Sequence, residues 1–319
     1  KEYVAKYFPE STKARMEELT SLLKEAFKSR LEKASWMTEG TRAKALGKLA
    51  SFTFEIGSPR KFRDYSGVAV DAGDLVGSSE RAVRATAEFW LQQRGKPVDP
   101  AYWSMPPQVV NAFFEPTRNR CVFLAAILQP PFFDPNSDMA VNFGGIGAVI
   151  GHEMTHGFDD QGRRYDAEGK LQDWWSHADE EEFSKRAEAY GEQFANFTSG
   201  LPAGTHIKPG LTMGENIADL GGVTISLDAY RLWLSRQAAP SAPMPPLLAP
   251  YADGLEEERR FFAGWAQVWR GKSTEAALRR QLVSDPHSPS HARGTVPLQN
   301  LDAWHRAFGI LPGTRLFLE

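Results

Sequence analysis

A twelve-residue segment, residues 151–162, places the strongest constraint on the fold of this chain. It reads Gly-His-Glu-Met-Thr-His-Gly-Phe-Asp-Asp-Gln-Gly and contains the pattern H-E-x-x-H. Residues four apart lie on one face of an α-helix, so His152 and His156 can bind the same metal ion. Glu153 lies next to them on the helix and can reach a water on that metal without binding the metal itself. The spacing therefore predicts a helix that carries the zinc site of a hydrolase.

The residues that flank this segment favour a zinc site over the alternative, two surface histidines on an ordinary helix. Upstream, residues 142–150 are glycine-rich and then apolar, which predicts a helix buried along one side. Downstream, Gly157 and the acidic pair at 159–160 are typical of the wall of a site rather than of more core. Because H-E-x-x-H also occurs by chance, a third ligand is needed to support the prediction.

A second segment, residues 213–222, supplies that ligand. It reads Met-Gly-Glu-Asn-Ile-Ala-Asp-Leu-Gly-Gly. Catalytic zinc takes three protein ligands and keeps an open position, so Glu215 can complete the set with the two histidines around one zinc ion. Asp219 shares a helix face with Glu215 and can accept the other ring N–H of a ligand histidine. The alternative is an exposed pair of repelling acids, but apolar residues and glycines surround these two.

The amino-terminal part of the chain predicts helices. Residues 1–60 read as helical, with Thr38 expected to cap a second helix after the break at 36–38. Residues 57–78 read as a connection, and Ser79 is expected to cap a third helix that runs to Gln93. The apolar positions that recur at helical spacing in the first helix are Met16, Leu19, Leu22, Leu23, Ala26, Phe27 and Leu31.

The pattern then changes to that of a β-hairpin. Residues 109–114 and 121–128 are strand-like, and residues 115–120 between them read as its turn. Cys121, the single cysteine, lies in an apolar run and is interpreted as a buried packing residue rather than a nucleophile.

Later segments predict one capped helix, a loop and a further helix. Ser176 is expected to cap a helix whose acidic run, 179–182, faces solvent. Residues 238–250 hold five prolines and read as a surface loop, and residues 256–269 read as a helix with a large apolar stripe.

Six sequence blocks, in order along the chain, resemble the carboxy-terminal, catalytic half of the neprilysin family of zinc peptidases, which includes endothelin-converting enzymes and bacterial oligopeptidases. The blocks are Asn111-Ala112-Phe113-Phe114, residues 128–133, the H-E-x-x-H run continuing to Asp173-Trp174-Trp175, residues 214–219, residues 266–269, and residues 285–289 followed by Arg293. The resemblance implies a mainly α fold with a small β-sheet (α+β), a thermolysin-like zincin catalytic domain. It also implies two regions: a helical region at 1–100, packing with an amino-terminal half that is absent or separate, and the catalytic domain at 101–319.

The resemblance assigns roles to several residues. It implies that His287 stabilises the oxyanion of the transition state, that Asp219 supports catalysis, and that Arg293 binds a substrate carbonyl. The strand that carries Asn111 and Ala112 is implied to be a sheet edge beside the substrate. The residues implied to lie near the pocket for the substrate side chain are Val149, Val268 and Trp269. Ala148 stands where neprilysin has methionine, which predicts a larger pocket.

Three functions follow as hypotheses. The first is a zinc metalloendopeptidase that hydrolyses short peptides on the amino side of hydrophobic residues, with Glu153 as general base. The second is a zinc-binding, catalytically weak subunit of a split peptidase that acts as a binding or maturation partner, and the intact Glu153 argues against it. The third is an unrelated thermolysin-like endopeptidase that acts on whole proteins. A separate polypeptide for the amino-terminal half is an expected partner of the first two.

Composition excludes other classes of protein. With 37 Lys and Arg against 40 Asp and Glu, the net charge of −3 gives no electrostatic footprint for nucleic acid. No run of about 18 apolar residues is present, so no membrane span is expected. The family resemblance favours a periplasmic or secreted location and leaves a cytoplasmic one open for a bacterial member.

Overall fold

The computed structural model describes residues 1–237 and 255–312. The helices within this part of the chain are α1 (Glu2–Tyr7), α2 (Glu10–Glu32), α3 (Glu39–Ser51), α4 (Leu75–Gln93), α5 (Met139–Asn142), α6 (Ala148–Thr155), α7 (His177–Ala195), α8 (Pro209–Gln237), α9 (Leu255–Val268), α10 (Glu275–Ser284), α11 (Ser290–Thr295) and α12 (Asp302–Phe308). The strands are β1 (Thr53–Gly57), β2 (Ala112–Glu115) and β3 (Arg120–Leu124). The predicted class, mainly α with a small sheet, is confirmed.

The small sheet has the strand order β1-β3-β2. Strands β2 and β3 form the predicted hairpin, pairing antiparallel with Ala112 opposite Phe123. Strand β1 pairs parallel with β3 and was expected to be helix; that prediction was wrong. Helix α3 ends at Ser51, after which β-branched and aromatic residues, among them Thr53 and Phe54, complete the sheet. The middle strand is buried throughout, including Cys121 as predicted.

The amino-terminal helices pack into the same hydrophobic core as the H-E-x-x-H helix. All seven apolar positions predicted for the core face of α2 are buried, and they join one cluster with residues of α6, α8 and α9. Because β1 also pairs with β3, residues 10–57 are built into the region that holds the metal-binding motif. These contacts join residues on both sides of position 100, where the sequence predicted a boundary between two regions. That boundary remains a prediction.

The crossing of α6 and α8 brings the two motifs together. Gly151 on α6 faces Gly222 on α8, and a Cβ added to Gly151 would lie 2.8 Å from the carbonyl oxygen of Gly222. A Cβ on Gly222 would lie 2.5 Å from the carbonyl oxygen of Ala148. Only glycine at both positions lets the helix backbones approach this closely. The close crossing places the histidines of one helix beside the carboxylates of the other.

Of four local predictions, one needed correction, two agree with the structure and one lies outside the described residues. Helix α4 begins at Leu75 rather than after Ser79, because the Asp74 carboxylate accepts a hydrogen bond from the amide of Gly77 and caps it earlier. Ser176 does cap α7, and α9 begins within one residue of its predicted start. The proline-rich segment 238–250 lies outside the described residues.

The acidic run at the start of α7 is only partly solvated, contrary to the prediction. Asp179 is 1% exposed. Its carboxylate accepts hydrogen bonds from the amide and hydroxyl of Thr38 at 2.7 and 2.5 Å, and from the hydroxyl of Ser176 at 2.5 Å. Thr38 does precede α3, but its hydroxyl bonds to Asp179 instead of capping its own helix. This acid therefore ties the starts of α3 and α7 together.

Helix α4 differs from the rest because its apolar side chains are solvent-exposed. Leu75, Val76, Val83 and Leu91 are each at least two-thirds exposed, and Ser78 is its buried residue. Among the described residues, no helix combines the length and apolar character required to cross a membrane.

Candidate active site

Three side chains from α6 and α8 converge on one point. His152 lies in α6, and His156 directly follows the last residue of that helix. Their Nε2 atoms lie 3.0 Å apart. The Nε2 of His152 lies 3.2 Å from Oε2 of Glu215, and the Nε2 of His156 lies 3.7 Å from Oε1. These three residues form the group of potential metal ligands found in the described part of the chain. The structure thus brings together the three predicted ligands.

The spacing and charge of this group fit zinc. Ligands bound at ~2.0–2.1 Å to a tetrahedral ion lie roughly 3.4 Å apart, close to the three distances observed. Oε2 of Glu215 is buried and accepts no hydrogen bond within the described residues. The nearest side-chain nitrogens, of His152, His287 and Arg293, lie 3.2, 3.2 and 3.6 Å away but not in hydrogen-bond geometry, as expected where a cation binds among such groups.

The pKa values of these residues show that the group favours positive charge. Burial would lower the pKa of His152, but the contacts with Asp219 and Glu215 outweigh burial and raise this pKa to about 10. Burial would raise the pKa of Glu215, but the neighbouring His152, His156 and His287 hold it well below its usual range. A divalent cation satisfies the same electrostatic demand without protons on the imidazoles.

Each of the two candidate ligand histidines contacts a carboxylate. The Nδ1 of His152 lies 2.9 Å from Oδ1 of Asp219, which is fully buried. The Nδ1 of His156 lies 2.7 Å from Oδ2 of Asp159. Such contacts fix the ring and leave Nε2 for the metal. Asp219 was predicted for this position. Asp159 was interpreted only as part of a polar wall, although its position three residues after His156 could have indicated this contact.

Arg293 is also paired with Asp219. Its Nε and Nη2 donate to the two oxygens of Asp219, both at 2.7 Å, and its guanidinium carbon lies 3.9 Å from the centre of the Trp269 ring. The Nη2 lies 3.6 Å from Oε2 of Glu215. Arg293 is thus held by an ion pair and by stacking, and the same carboxylate serves an arginine and a ligand histidine.

Two more titratable groups face the metal-binding group. Glu153 is buried, and burial raises its pKa despite the opposing effect of His152 and His156. A carboxylate with a raised pKa is better suited to taking a proton near neutral pH. The Nε2 of His287 lies 3.2 Å from Oε2 of Glu215, and its Nδ1 lies 2.7 Å from Oδ1 of Asp285.

A cleft of about 520 Å³ opens onto these groups. One wall carries the two histidines and Glu215, and the other carries β2 and the residue before it, Asn111. Asn111 is exposed; its Oδ1 accepts a hydrogen bond from the amide of Ala112 at 2.9 Å. Strand β2 is an edge of the sheet, as the family resemblance implied.

Most residues predicted to contact substrate line this cleft, with two exceptions. Asn111, Ala112, His287 and Arg293 line it, as do Val149 and Trp269. Val268 does not line it. The side of α9 that faces the cleft carries Trp265 and, four residues later just after the helix ends, Trp269. Ala148 is fully buried and is also absent from the lining, so the expected enlargement of the pocket has no support in the geometry. Sequence reasoning missed Trp265, Phe132 and Gln161, which also line the cleft.

Two parts of the chain match family profiles. Residues 111–319 and residues 1–59 match two profiles that are each described as peptidase family M13. Human endothelin-converting enzyme 1 is 38% identical over 327 residues, which cover 98% of this chain and 40% of the relative. Neprilysin-1 of Caenorhabditis elegans is 37% identical over 316 residues, which cover 96% of this chain and 41% of the relative.

Solved structures share both the fold and the sequence. The Mycobacterium tuberculosis zinc metalloprotease ZMP1, in complex with an inhibitor, matches with a TM-score of 0.89 and 44% identity, over 99% of this chain and 47% of that chain. PepO from Lactobacillus rhamnosis matches with a TM-score of 0.85 and 31% identity, also over 99% and 47%. The chain thus spans about two-fifths of these curated relatives and about half of the solved structures. On these matches, and as the sequence resemblance predicted, the chain belongs to peptidase family M13.

Proposed function

We propose that this chain forms the catalytic part of a zinc metalloendopeptidase that hydrolyses short peptides on the amino side of hydrophobic residues. The observation that carries the proposal is the group formed by His152, His156 and Glu215, with Glu153 beside it, at the side of an open cleft. A metal site that only supports the fold is closed by four protein ligands, whereas a catalytic site keeps one position open. The open cleft and the intact Glu153 favour an enzyme over a binding subunit.

The three ligands would hold one zinc ion. Bound there, zinc supplies Lewis-acid chemistry, since it polarises a carbonyl and lowers the pKa of a water molecule. Glu153 takes a proton from the attacking water and passes it to the leaving nitrogen. Its burial and raised pKa suit both transfers, because the group must accept a proton and then release it.

His287 and Arg293 stabilise and position the reacting peptide bond in this proposal. Asp285 holds the His287 ring by Nδ1, while Nε2 lies beside Glu215 at the cleft, where it can donate to a developing oxyanion. Arg293 is held by Asp219 and Trp269 and lines the cleft, where it binds a substrate carbonyl. A donor held in advance loses little conformational freedom on binding.

The wall formed by β2 sets the position of the substrate along the cleft. An extended peptide adds to the edge strand β2 by main-chain hydrogen bonds. A substrate carbonyl that accepts from the amide of Ala112 would replace the Oδ1 of Asn111 and free that side-chain amide to bind a neighbouring peptide unit. The apolar side chains of Val149, Trp265 and Trp269 favour a hydrophobic substrate side chain next to the cleaved bond.

We propose that the partner of this chain is an amino-terminal half, separate or covalently linked, that closes over the active-site cleft. The relatives are more than twice the length matched here, and α4 exposes a row of apolar side chains. If such a half covers this surface, adding it as a separate polypeptide should change the activity of the chain toward short peptides. Size-exclusion chromatography of the mixture measures the association directly.

The test of the function is a peptide library incubated with zinc-loaded protein. We expect cleavage of short peptides before hydrophobic residues, loss of cleavage with a chelator, and recovery with one equivalent of zinc. Cleavage of intact folded proteins at similar rates would favour the thermolysin-like alternative. A library cut only before small or charged residues would refute the proposed specificity, and a protein that binds zinc without cleaving any peptide would refute the enzyme.

A further inference from the structure

Lys48, on α3, is a buried cation that the proposed mechanism does not use. Its side chain is 1% exposed. The ammonium donates three hydrogen bonds, to the carbonyl oxygens of Gly157 at 2.6 Å, Gly162 at 2.7 Å and Tyr165 at 2.6 Å. These use all three of its N–H donors, which is what makes burial of the charge tolerable. Burial lowers the pKa of Lys48 to about 8, against the opposing effect of Asp159 and Asp166.

The three carbonyls belong to one segment, residues 157–165, which directly follows the H-E-x-x-H helix and which we name the post-helix turn. Within it, the amides of Gln161 and Gly162 donate to Oδ1 of Asp159 at 2.9 and 2.7 Å. The other oxygen of Asp159 contacts Nδ1 of His156. Gly162 therefore joins the two networks, since its amide holds Asp159 and its carbonyl is held by Lys48.

The post-helix turn has little space in which to shift. A Cβ on Gly162 would lie 1.6 Å from the carbonyl oxygen of His156. A Cβ on Gly157 would lie 2.4 Å from the ring of Phe52, the residue that follows α3. The Lys48 ammonium also lies 5.5 Å from the centre of the Phe158 ring. Lys48 holds carbonyls on both sides of Asp159 in the turn, so we expect a displacement at Lys48 to reach Asp159 or His156.

We propose that Lys48 is a positioning residue for the metal centre: it holds the post-helix turn in place, so that Asp159 keeps the His156 ring directed at the metal. The inference rests on the proposed function, because it takes the ligand group to be a zinc site. Lys48 touches neither a ligand nor the cleft, so it acts through the turn. Losing a partner that orients a metal ligand weakens metal binding roughly 10–100-fold.

The test is the zinc dissociation constant of the Lys48→Met variant, measured by competition with a chromophoric chelator. Methionine keeps much of the aliphatic stem and removes the donors. Lys44→Met is the matched control, since Lys44 is exposed one turn earlier on α3 and donates to the carbonyl of Trp174 at 3.3 Å, outside the turn. Should Lys48→Met not fold, Lys48→Gln removes the charge and keeps two of the three N–H donors, and the same direction is expected.

We expect Asp159→Asn, which removes the direct partner of His156, to raise the dissociation constant roughly 10–100-fold. Lys48→Met should raise it by a smaller factor that still exceeds the change in Lys44→Met, which should stay within about twofold of the parent chain. Cobalt-substituted Lys48→Met should show an altered visible spectrum. The double variant should be far less affected than two independent losses predict, because both act on one turn.

Three results would count against the inference. A folded Lys48→Met protein that binds zinc as tightly as the parent chain overturns the role of Lys48 and leaves the proposed function intact. Fully additive losses in the double variant overturn transmission through Asp159. A parent chain that binds no zinc overturns the proposed function and this inference together.

Discussion

The two walls of the cleft differ in how their polar groups are buried and paired. On the helical wall, the polar groups are buried or half-buried and paired: His152 with Asp219, His156 with Asp159, and Arg293 with Asp219 again. On the strand wall, Asn111 is exposed, and its Oδ1 bonds to the amide of the next residue in the chain. One wall is organised before any substrate arrives, and the other offers groups that a substrate can take over.

The contrast has a physical cause. Buried charges cost free energy unless they are paired, so a wall of carboxylates and imidazoles must be fixed by mutual contacts or by a metal. An exposed sheet edge remains hydrated, and its donors and acceptors can exchange partners at little cost. Changes on the helical wall should therefore abolish metal binding or chemistry, whereas changes on the strand wall should weaken substrate binding. Three variants test this division, and a fourth changes a residue that lies on neither wall.

The largest expected effect is that of Glu215→Val on the helical wall. It removes one of the three proposed zinc ligands. It also removes the Glu215 carboxylate from beside His152 and Arg293. We expect zinc to be lost on dialysis and peptidase activity to fall to background. Metal analysis of the folded protein measures this, with Glu188→Val on the exposed side of α7 as a control. Full zinc occupancy in Glu215→Val would remove Glu215 from the ligand set.

Glu153→Gln should separate chemistry from metal binding on the same wall. The amide keeps the shape of the side chain but cannot accept a proton, so kcat should fall by about 10²–10⁴ while zinc remains bound. Parallel measurement of zinc content and kcat on one peptide tests this. Activity within a fewfold of the parent chain would exclude Glu153 as the general base.

Asn111→Ala tests the strand wall and should have a smaller effect. Loss of one hydrogen bond to a peptide, worth about 0.5–1.5 kcal/mol, should raise KM roughly 2–12-fold and leave zinc content unchanged. Steady-state kinetics on a short peptide separates KM from kcat. If kcat fell instead, with KM constant, the strand would act in the chemical step and the division between the walls would fail.

Asp179→Asn lies on neither wall and should change stability only. Burial would raise the pKa of Asp179, but hydrogen bonds from Ser176, Thr38 and Thr41 outweigh it and lower this pKa from 3.8 to about 2. A carboxylate with a depressed pKa stabilises the folded state above its unfolded pKa, and this contribution is lost as the pH falls from about 4 to about 2. The shift corresponds to about 2 kcal/mol at neutral pH.

Denaturant unfolding at pH 7 and at pH 3 measures this contribution. We expect Asp179→Asn to lower the free energy of unfolding at pH 7 by about 2 kcal/mol, with a smaller difference at pH 3. Peptidase activity of the folded protein should not change. A large loss of kcat in the folded variant would show that the α3–α7 contact reaches the cleft.

The sequence predicted the parts of the site that depend on helix geometry. The relation of His152, Glu153 and His156 follows from a rise of 1.5 Å per residue and 3.6 residues per turn, which hold wherever the helix lies. The relation of Glu215 to Asp219 follows from the same geometry. The buried face of α2 and the hairpin of β2 and β3 likewise follow from periods of 3.6 and 2 residues.

Contacts between residues far apart in the chain could not be predicted in the same way. The parallel pairing of β1 with β3, the burial of Asp179 against Thr38 and the three carbonyls around Lys48 each join segments more than 60 residues apart. A lysine in a helix with charged neighbours has the pattern of a surface residue, and an acid in an acidic run has the pattern of a solvated one. Their burial is decided by which partner the folded chain brings to them.

The candidate metal site of this chain was therefore predictable from residue types and short-range spacing, because a helix imposes the same distances in every protein. The cleft, its walls and the buried contacts around the site arose only when α6 crossed α8 over Gly151 and Gly222 and the sheet closed beside them. Packing depends on the shapes and partners of distant segments, which no local pattern records.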